Sequence, residues 1–194
     1  MRIIAGEFRG RTIKAPKGDG TRPTTDRVRE SLMSAVNSAC GGFEDAVVLD
    51  AFAGSGALGL EALSRGASCA RFFERDGAAE RVLEGNVRAL GLDARRARVS
   101  RGDVLKDPPV HSRPPFDLVF LDVFLDGANG IDIAERLRRE NYPGLIIFTT
   151  VSSEHAVDGF RVRAFHYLTK PFTPDDIAAA LDEAIERLAG DETM

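Results

Sequence analysis

The sequence predicts an α/β fold: a doubly wound, mostly parallel sheet preceded by an N-terminal β-hairpin and helix. Three observations carry this. Short apolar runs alternate with amphipathic stretches over residues 46–190. A glycine-rich turn, Gly54-x-Gly56-x-x-Gly59, follows the first apolar run directly. Carboxylates end or follow the first three runs, at Asp50, Glu74 and Asp103. Strands alternating with helices require crossovers, which cover both faces of a parallel sheet and make its strands apolar throughout.

The elements follow in order. Met1–Ile13 alternates and then breaks at glycines, as a short hairpin does. Residues 15–23 carry proline and glycine in loop pattern. A helix begins after Thr24 or Thr25 as N-cap, has Val28, Leu32, Ala35 and Val36 as its apolar stripe, and ends at Cys40-Gly-Gly. Residues 46–50 form the first strand, and Gly59–Ser64 lies in the following helix. Residues 70–74 form the second strand, 78–90 a helix with Val82, Val87 and Leu90 inward, and 97–100 the third strand. Residues 116–122 form the fourth strand and 131–140 a helix. Residues 145–149 are a strand, 157–163 a short helix, 165–169 a strand and 174–189 the amphipathic last helix. The division expected is 1–45 as hairpin and helix, then 46–190 as one α/β domain.

A chain of 194 residues fits one such domain at roughly 100–200 residues per domain. The net charge of −4 excludes a uniformly basic nucleic-acid coat. The charge is uneven, however. The first forty residues hold eight basic and four acidic side chains, whereas 171–194 hold Arg187 against seven acids. The front can meet a polyanion that the back repels. Cys40 and Cys69 make no disulfide framework, and His111, His155 and His166 share no metal spacing, so no metal is expected. With no apolar run of about 18 residues and no signal-peptide segment, the expectation is a cytoplasmic protein without a membrane span.

Glycines at a strand-to-helix turn let the backbone approach a ligand, with helix N–H groups aimed at it. Asp50, four residues before the first glycine, suits a cationic ligand such as the ammonium of a methionine moiety and would repel a pyrophosphate. Glu74 can take both hydroxyls of a ribose, and Asp103 can accept from an adenine amine.

Arg2–Gly10, the run from Arg22 to Leu32 (RPTTDRVRESL) and that from Asp50 to Leu63 (DAFAGSGALGLEAL) together resemble the bacterial 16S rRNA guanine-N2 methyltransferases that use S-adenosylmethionine. The likeness spans Met1 to about Asp122. It implies a Rossmann-like sheet and a cofactor site at Arg22, Thr24, Asp50, Phe52, Gly54, Gly56, Glu74, Asp103 and Val104, with Pro23 beside them. It implies that the basic N-terminal segment faces ribosomal RNA phosphates. The family also needs an Asp/Asn-Pro-Pro-Tyr/Phe tetrapeptide after the fourth strand, to hold and stack the flipped guanine. Here Asp122 is followed by Val123-Phe124-Leu125, so no catalytic set is intact. Asp107-Pro108-Pro109-Val110 precedes the strand, lacks the aromatic and reads as a loop.

From Asp117 onward the sequence resembles something else. Leu118 to Asp122 and on to Ala134, Ile146 to Thr150, and Tyr167 to Phe172 are similar to the C-terminal half of a response-regulator receiver domain of the LytTR type. That resemblance implies Asp122 as phosphoacceptor, with Thr150 and Lys170 contacting the phosphoryl group. The receiver's adjacent acidic pair for Mg²⁺ is missing, Asp50 being the one carboxylate at the equivalent strand end. The chain thus reads as a chimera, 46–122 from one family and 117–190 from the other. Both place the shared strand beside the first, which gives the sheet order 3-2-1-4-5-6 with ligands at the carboxyl ends near the switch point. Three functions stay open: a cofactor-binding methyltransferase core with methyl transfer lost, a module phosphorylated at Asp122, or a folded chimera with no physiological role.

Overall fold

The computed structural model describes residues 1–16, 26–104, 106, 109, 115–121, 124–125, 128–142, 144–150 and 166–169. Helix α1 (Asp26–Cys40) buries Leu32, Met33, Ala35 and Val36 and is followed by Gly41 at φ 70°, a left-handed stop that glycine takes without strain. Then come β1 (Val47–Asp50), α2 (Ala57–Ser64), β2 (Cys69–Glu74), α3 (Gly77–Ala89) and β3 (Ala97–Arg101). They are followed by β4 (Leu118–Leu121), β5 (Phe124–Leu125), β6 (Ala128–Asn129), α4 (Gly130–Arg139), β7 (Leu145–Thr150) and β8 (His166–Thr169).

Six strands form one sheet in the order β3-β2-β1-β4-β7-β8, and every neighbouring pair is parallel. The chain winds outward from β1 to β3, returns to β4 beside β1 and winds the other way, so the switch point lies between β1 and β4. Strand side chains alternate between two cores. Val48, Phe72, Leu118, Phe120 and Ile147 pack with α1, α2 and α3. Val47, Leu49, Val119, Leu121, Ile146 and Phe148 pack with Ile131, Ile133, Ala134 and Leu137 of α4. Both faces are covered, which is why β4 is apolar from end to end and β1 up to its last residue.

The N-terminal hairpin is present: Arg2 bridges Thr12, Ile3 N–H donates to the Arg11 carbonyl, Gly10 N–H to the Ile3 carbonyl and Ile13 N–H to the Met1 carbonyl. Its middle is held on α2: Ile4 and Ala5 N–H donate to the Glu61 carboxylate, and Glu7 and Phe8 N–H donate to the Ser64 carbonyl and hydroxyl. The segment is thus a short hairpin that serves as an arm docked on α2. The predicted numbering of the sheet is shifted. β5 and β6 form a separate antiparallel pair, Phe124 with Asn129 and Leu125 with Ala128, so the fifth and sixth sheet strands are β7 and β8. Asp126-Gly127 stands between them in sequence, a pair favoured in two-residue hairpin loops, and that signal was there to be read. The N-caps Thr24 and Thr25 and the helices expected at 157–163 and 174–189 lie outside the described residues.

Candidate functional site: the glycine turn at the switch point

The turn after β1 is hung from both neighbouring strands. Ala51 N–H donates to the Phe120 carbonyl at 3.1 Å, and Ala53 N–H to the Phe73 carbonyl at 3.0 Å. The backbone therefore crosses the carboxyl end of β1 before entering α2. Its glycines do different things. A side chain on Gly54 (φ 52°) would meet nothing within 4 Å, so this position borders open space. A Cβ on Gly56 (φ 77°) would come within 2.3 Å of Leu83 Cδ1, and one on Gly59 within 2.4 Å of Phe72 Cε1. Gly56 and Gly59 are thus needed for close packing of α2 on α3 and β2, and Gly54 is the glycine of the three that faces open space.

Asp50 ends β1 at 4% exposure, and its Oδ2 accepts the Gly59 N–H at 3.0 Å. The N-cap of α2, Gly56, supplies no side-chain acceptor. Asp50 takes over that task from beneath the turn, placing a carboxylate at the positive end of the helix. Glu74 ends β2. Its Oε2 accepts the Gly54 N–H at 2.8 Å, and its Oε1 the Asp76 N–H at 2.8 Å. One carboxylate thereby pins the turn to β2, with a further lone pair on each oxygen. The Glu74 carbonyl accepts Gly102 N–H at 3.1 Å, which draws the end of β3 alongside. Asp103, half-buried, follows, and its carbonyl accepts Lys106 N–H at 3.0 Å. Val104 is 1% exposed within the core under α4, and Phe52, half-buried, packs against the same core.

The structure therefore gathers Asp50, Phe52, Gly54, Gly56, Glu74, Asp103 and Val104 along one edge of the sheet. Thr150 is the last residue of β7, paired with Thr169 of β8. The side chain of Thr150, and Arg22, Thr24, Asp122 and Lys170 altogether, lie outside the described residues.

Sequence reasoning missed three buried polar groups. Arg29 and Glu61, both 0% exposed, stand 3.7 Å apart, with Arg65 Nε 3.0 Å from the same carboxylate. Arg29 also donates to the Arg2 carbonyl and to Asp26. Asn86, 2% exposed, bonds Lys14 and Ser55. A charged residue inside the apolar run of α2, and an amide on the inward stripe of α3, were the available signals.

A doubly wound sheet with this turn after β1 and carboxylates at the ends of β1 and β2 defines a Rossmann-like fold of the methyltransferase type. Solved structures agree. A hypothetical protein of Thermus thermophilus superposes with TM-score 0.60 at 31% identity, covering 76% of this chain and 84% of that one. A precorrin-6y C5,15-methyltransferase of Geobacter metallireducens, at 19% identity and TM-score 0.58, shares the fold over 72% of this chain and 69% of its own.

The chain belongs to the family described as Conserved hypothetical protein 95, whose profile matches residues 1–125. Ribosomal RNA small subunit methyltransferase D of Escherichia coli is 44% identical over 122 residues, 63% of this chain and 59% of that protein. Its Haemophilus influenzae counterpart is 42% identical over 125 residues, 63% of this chain and 62% of its own. The chain thus spans less than two thirds of the length of these curated relatives. A second profile, the response regulator receiver domain, matches residues 104–182. Sensory transduction protein LytT of Bacillus subtilis is 48% identical over 65 residues, 34% of this chain and 27% of that protein.

Proposed function

We propose that the chain binds S-adenosylmethionine at the glycine turn, as the cofactor-binding core of an rRNA guanine-N2 methyltransferase, and that methyl transfer is lost. The observation that carries this reading is the Glu74 carboxylate bonded to Gly54 N–H beside the open space over Gly54. The residues fit the cofactor. The free lone pairs of Glu74 suit two ribose hydroxyls, Asp50 supplies negative charge toward a methionine ammonium, and Asp103 with Val104 borders the place of an adenine. Arg22 and Thr24 are proposed to complete the site. When bound, the cofactor supplies an electrophilic methyl group, and the chain's own task is to orient it.

Loss of transfer follows from what succeeds β4. The two-residue strand Phe124–Leu125 pairs with Ala128–Asn129 where the family places two prolines and a stacking ring. A target amine misplaced by about 1 Å can cost 10²-fold in rate. The overlap of the two matched regions, 104–125, supports a chimeric origin with its junction at β4, joined into one domain over 46–190. The basic N-terminal arm is proposed to retain some affinity for ribosomal RNA.

Calorimetric titration with S-adenosylmethionine tests the first claim: binding in the micromolar to low millimolar range is expected, and no heat or thermal shift at millimolar cofactor refutes it. Radiolabel transfer to small-subunit particles tests the second, and a rate near that of an intact family member refutes it. The receiver reading is weaker, because Asp50 is the one carboxylate ending β1 and it is buried and bonded to Gly59.

A further inference from the structure

The arm and the glycine turn share one side chain. Asn86, on the inward face of α3, donates from Nδ2 to the Ser55 carbonyl at 2.9 Å and to the Lys14 carbonyl at 2.9 Å, and its Oδ1 accepts Lys14 N–H at 2.8 Å. The two bonds to Lys14 copy the donor–acceptor pairing of a strand neighbour. The third reaches the residue between Gly54 and Gly56, both at positive φ. Ser55 is itself 8% exposed, and its hydroxyl lies 3.7 Å from Met1 Sδ, so the arm meets this residue twice.

A turn built on two such glycines is entropically costly to order. Opening it would strip the Ser55 carbonyl of its Asn86 partner, and unseating the arm would strip both backbone groups of Lys14 of theirs. We propose that Asn86 is a positioning residue that locks the arm to the turn, so that the turn holds its ligand-ready shape only while the arm is seated. Its consequence for cofactor affinity rests on the cofactor reading above; the lock itself does not.

Two readouts separate these. Hydrogen exchange on the ligand-free chain follows the amides of 54–60 and 3–14, and calorimetry with S-adenosylhomocysteine follows the site. Asn86→Leu keeps the volume without the hydrogen bonds, and Asn86→Asp turns a donor into an acceptor facing two carbonyls. Lys14→Pro removes the N–H on the arm side alone. Leu137→Ala, in the core under α4, is the control for plain destabilisation.

Each of the first three is expected to speed exchange in arm and turn together by about tenfold, the equivalent of one lost hydrogen bond, and to weaken the ligand by a similar factor. Leu137→Ala is expected to leave the dissociation constant within about twofold. Turn amides that stay protected in the Asn86 variants, or in Lys14→Pro, overturn the lock. If the unaltered chain binds no S-adenosylhomocysteine, the cofactor reading falls and the exchange pattern alone decides the lock. Should the Asn86 variants not fold, Lys14→Pro decides it.

Discussion

The carboxylate of Glu74 accepts the backbone N–H of Gly54 at 2.8 Å, joining the end of β2 to the turn that follows β1. One side chain thus sets the shape of the turn and offers the proposed ligand its remaining lone pairs. Glu74→Ala removes both functions. Losing two charge-assisted hydrogen bonds is expected to weaken S-adenosylhomocysteine by about 2–4 kcal/mol, read by calorimetry. Glu74→Gln is expected to be nearly as harmful, because its amide group would point at the N–H of Gly54 or Asp76. Wild-type affinity in Glu74→Ala contradicts the assignment.

Gly6 concerns the arm. It sits at φ 78°, and a Cβ there would lie 1.6 Å from the Ser64 carbonyl oxygen, the acceptor of Glu7 N–H. No rotamer relieves a backbone clash. Gly6→Ala is expected to cost at least about 2 kcal/mol in urea denaturation, with the arm undocked from α2. A loss under about 0.5 kcal/mol, the usual surface range, contradicts this.

Arg29 answers a different question, since its removal strands a buried charge. Arg29→Met leaves Glu61, itself fully buried, with Arg65 and two backbone N–H groups. Breaking such a pair typically costs about 3–5 kcal/mol. Chemical denaturation is expected to show a loss toward the lower end, because Arg65 remains. A neutral outcome would mean that Arg65 and the two N–H groups already satisfy the carboxylate.

The loop entering β3 carries a pH signature. Arg96 N–H, then the Arg95 side chain, hold the Asp93 carboxyl below its ordinary value of 3.8. A depressed folded value gives stability that is present above the unfolded value and is lost as the pH falls through the folded one. Asp93→Ala is therefore expected to lower Tm at neutral pH, with the gap to wild type narrowing below pH 3.8. A gap that widens on acidification reverses the sign and refutes the assignment.

Phosphorylation at Asp122 is expected to fail. Phosphoryl transfer to a carboxylate depends on positioning and metal charge, and Asp50 is already committed to Gly59 N–H. After incubation with Mg²⁺ and acetyl phosphate, intact mass is expected to show no stoichiometric adduct. An adduct absent from Asp122→Ala would restore the signalling reading.

The sheet was legible because alternation and apolar runs are dictated by burial on two faces, and Val47 to Asp50 or Leu118 to Leu121 show it residue by residue. The glycine turn was legible as a strand-to-helix turn after β1, but the division of labour among Gly54, Gly56 and Gly59 depends on what each faces across space. The hairpin was legible but its docking on α2 was not, because its partners there, Glu61 and Ser64, lie more than fifty residues away. Arg29 and Asn86 were missed for the same reason: a polar residue on an apolar stripe says that a partner exists, not which one.

β4 has a last consequence. It is bonded to β1 on one side through Val48, Leu49 and Asp50, and to β7 on the other through residues 145–148. A cut in the sequence near residue 122 therefore does not cut the molecule into two self-sufficient pieces. The first fragment would carry β4 with one flank unpaired, and the second would hold β7 without the neighbour that completes it, each a sticky edge inviting aggregation. The two flanks of β4 are therefore expected to fold together or not at all.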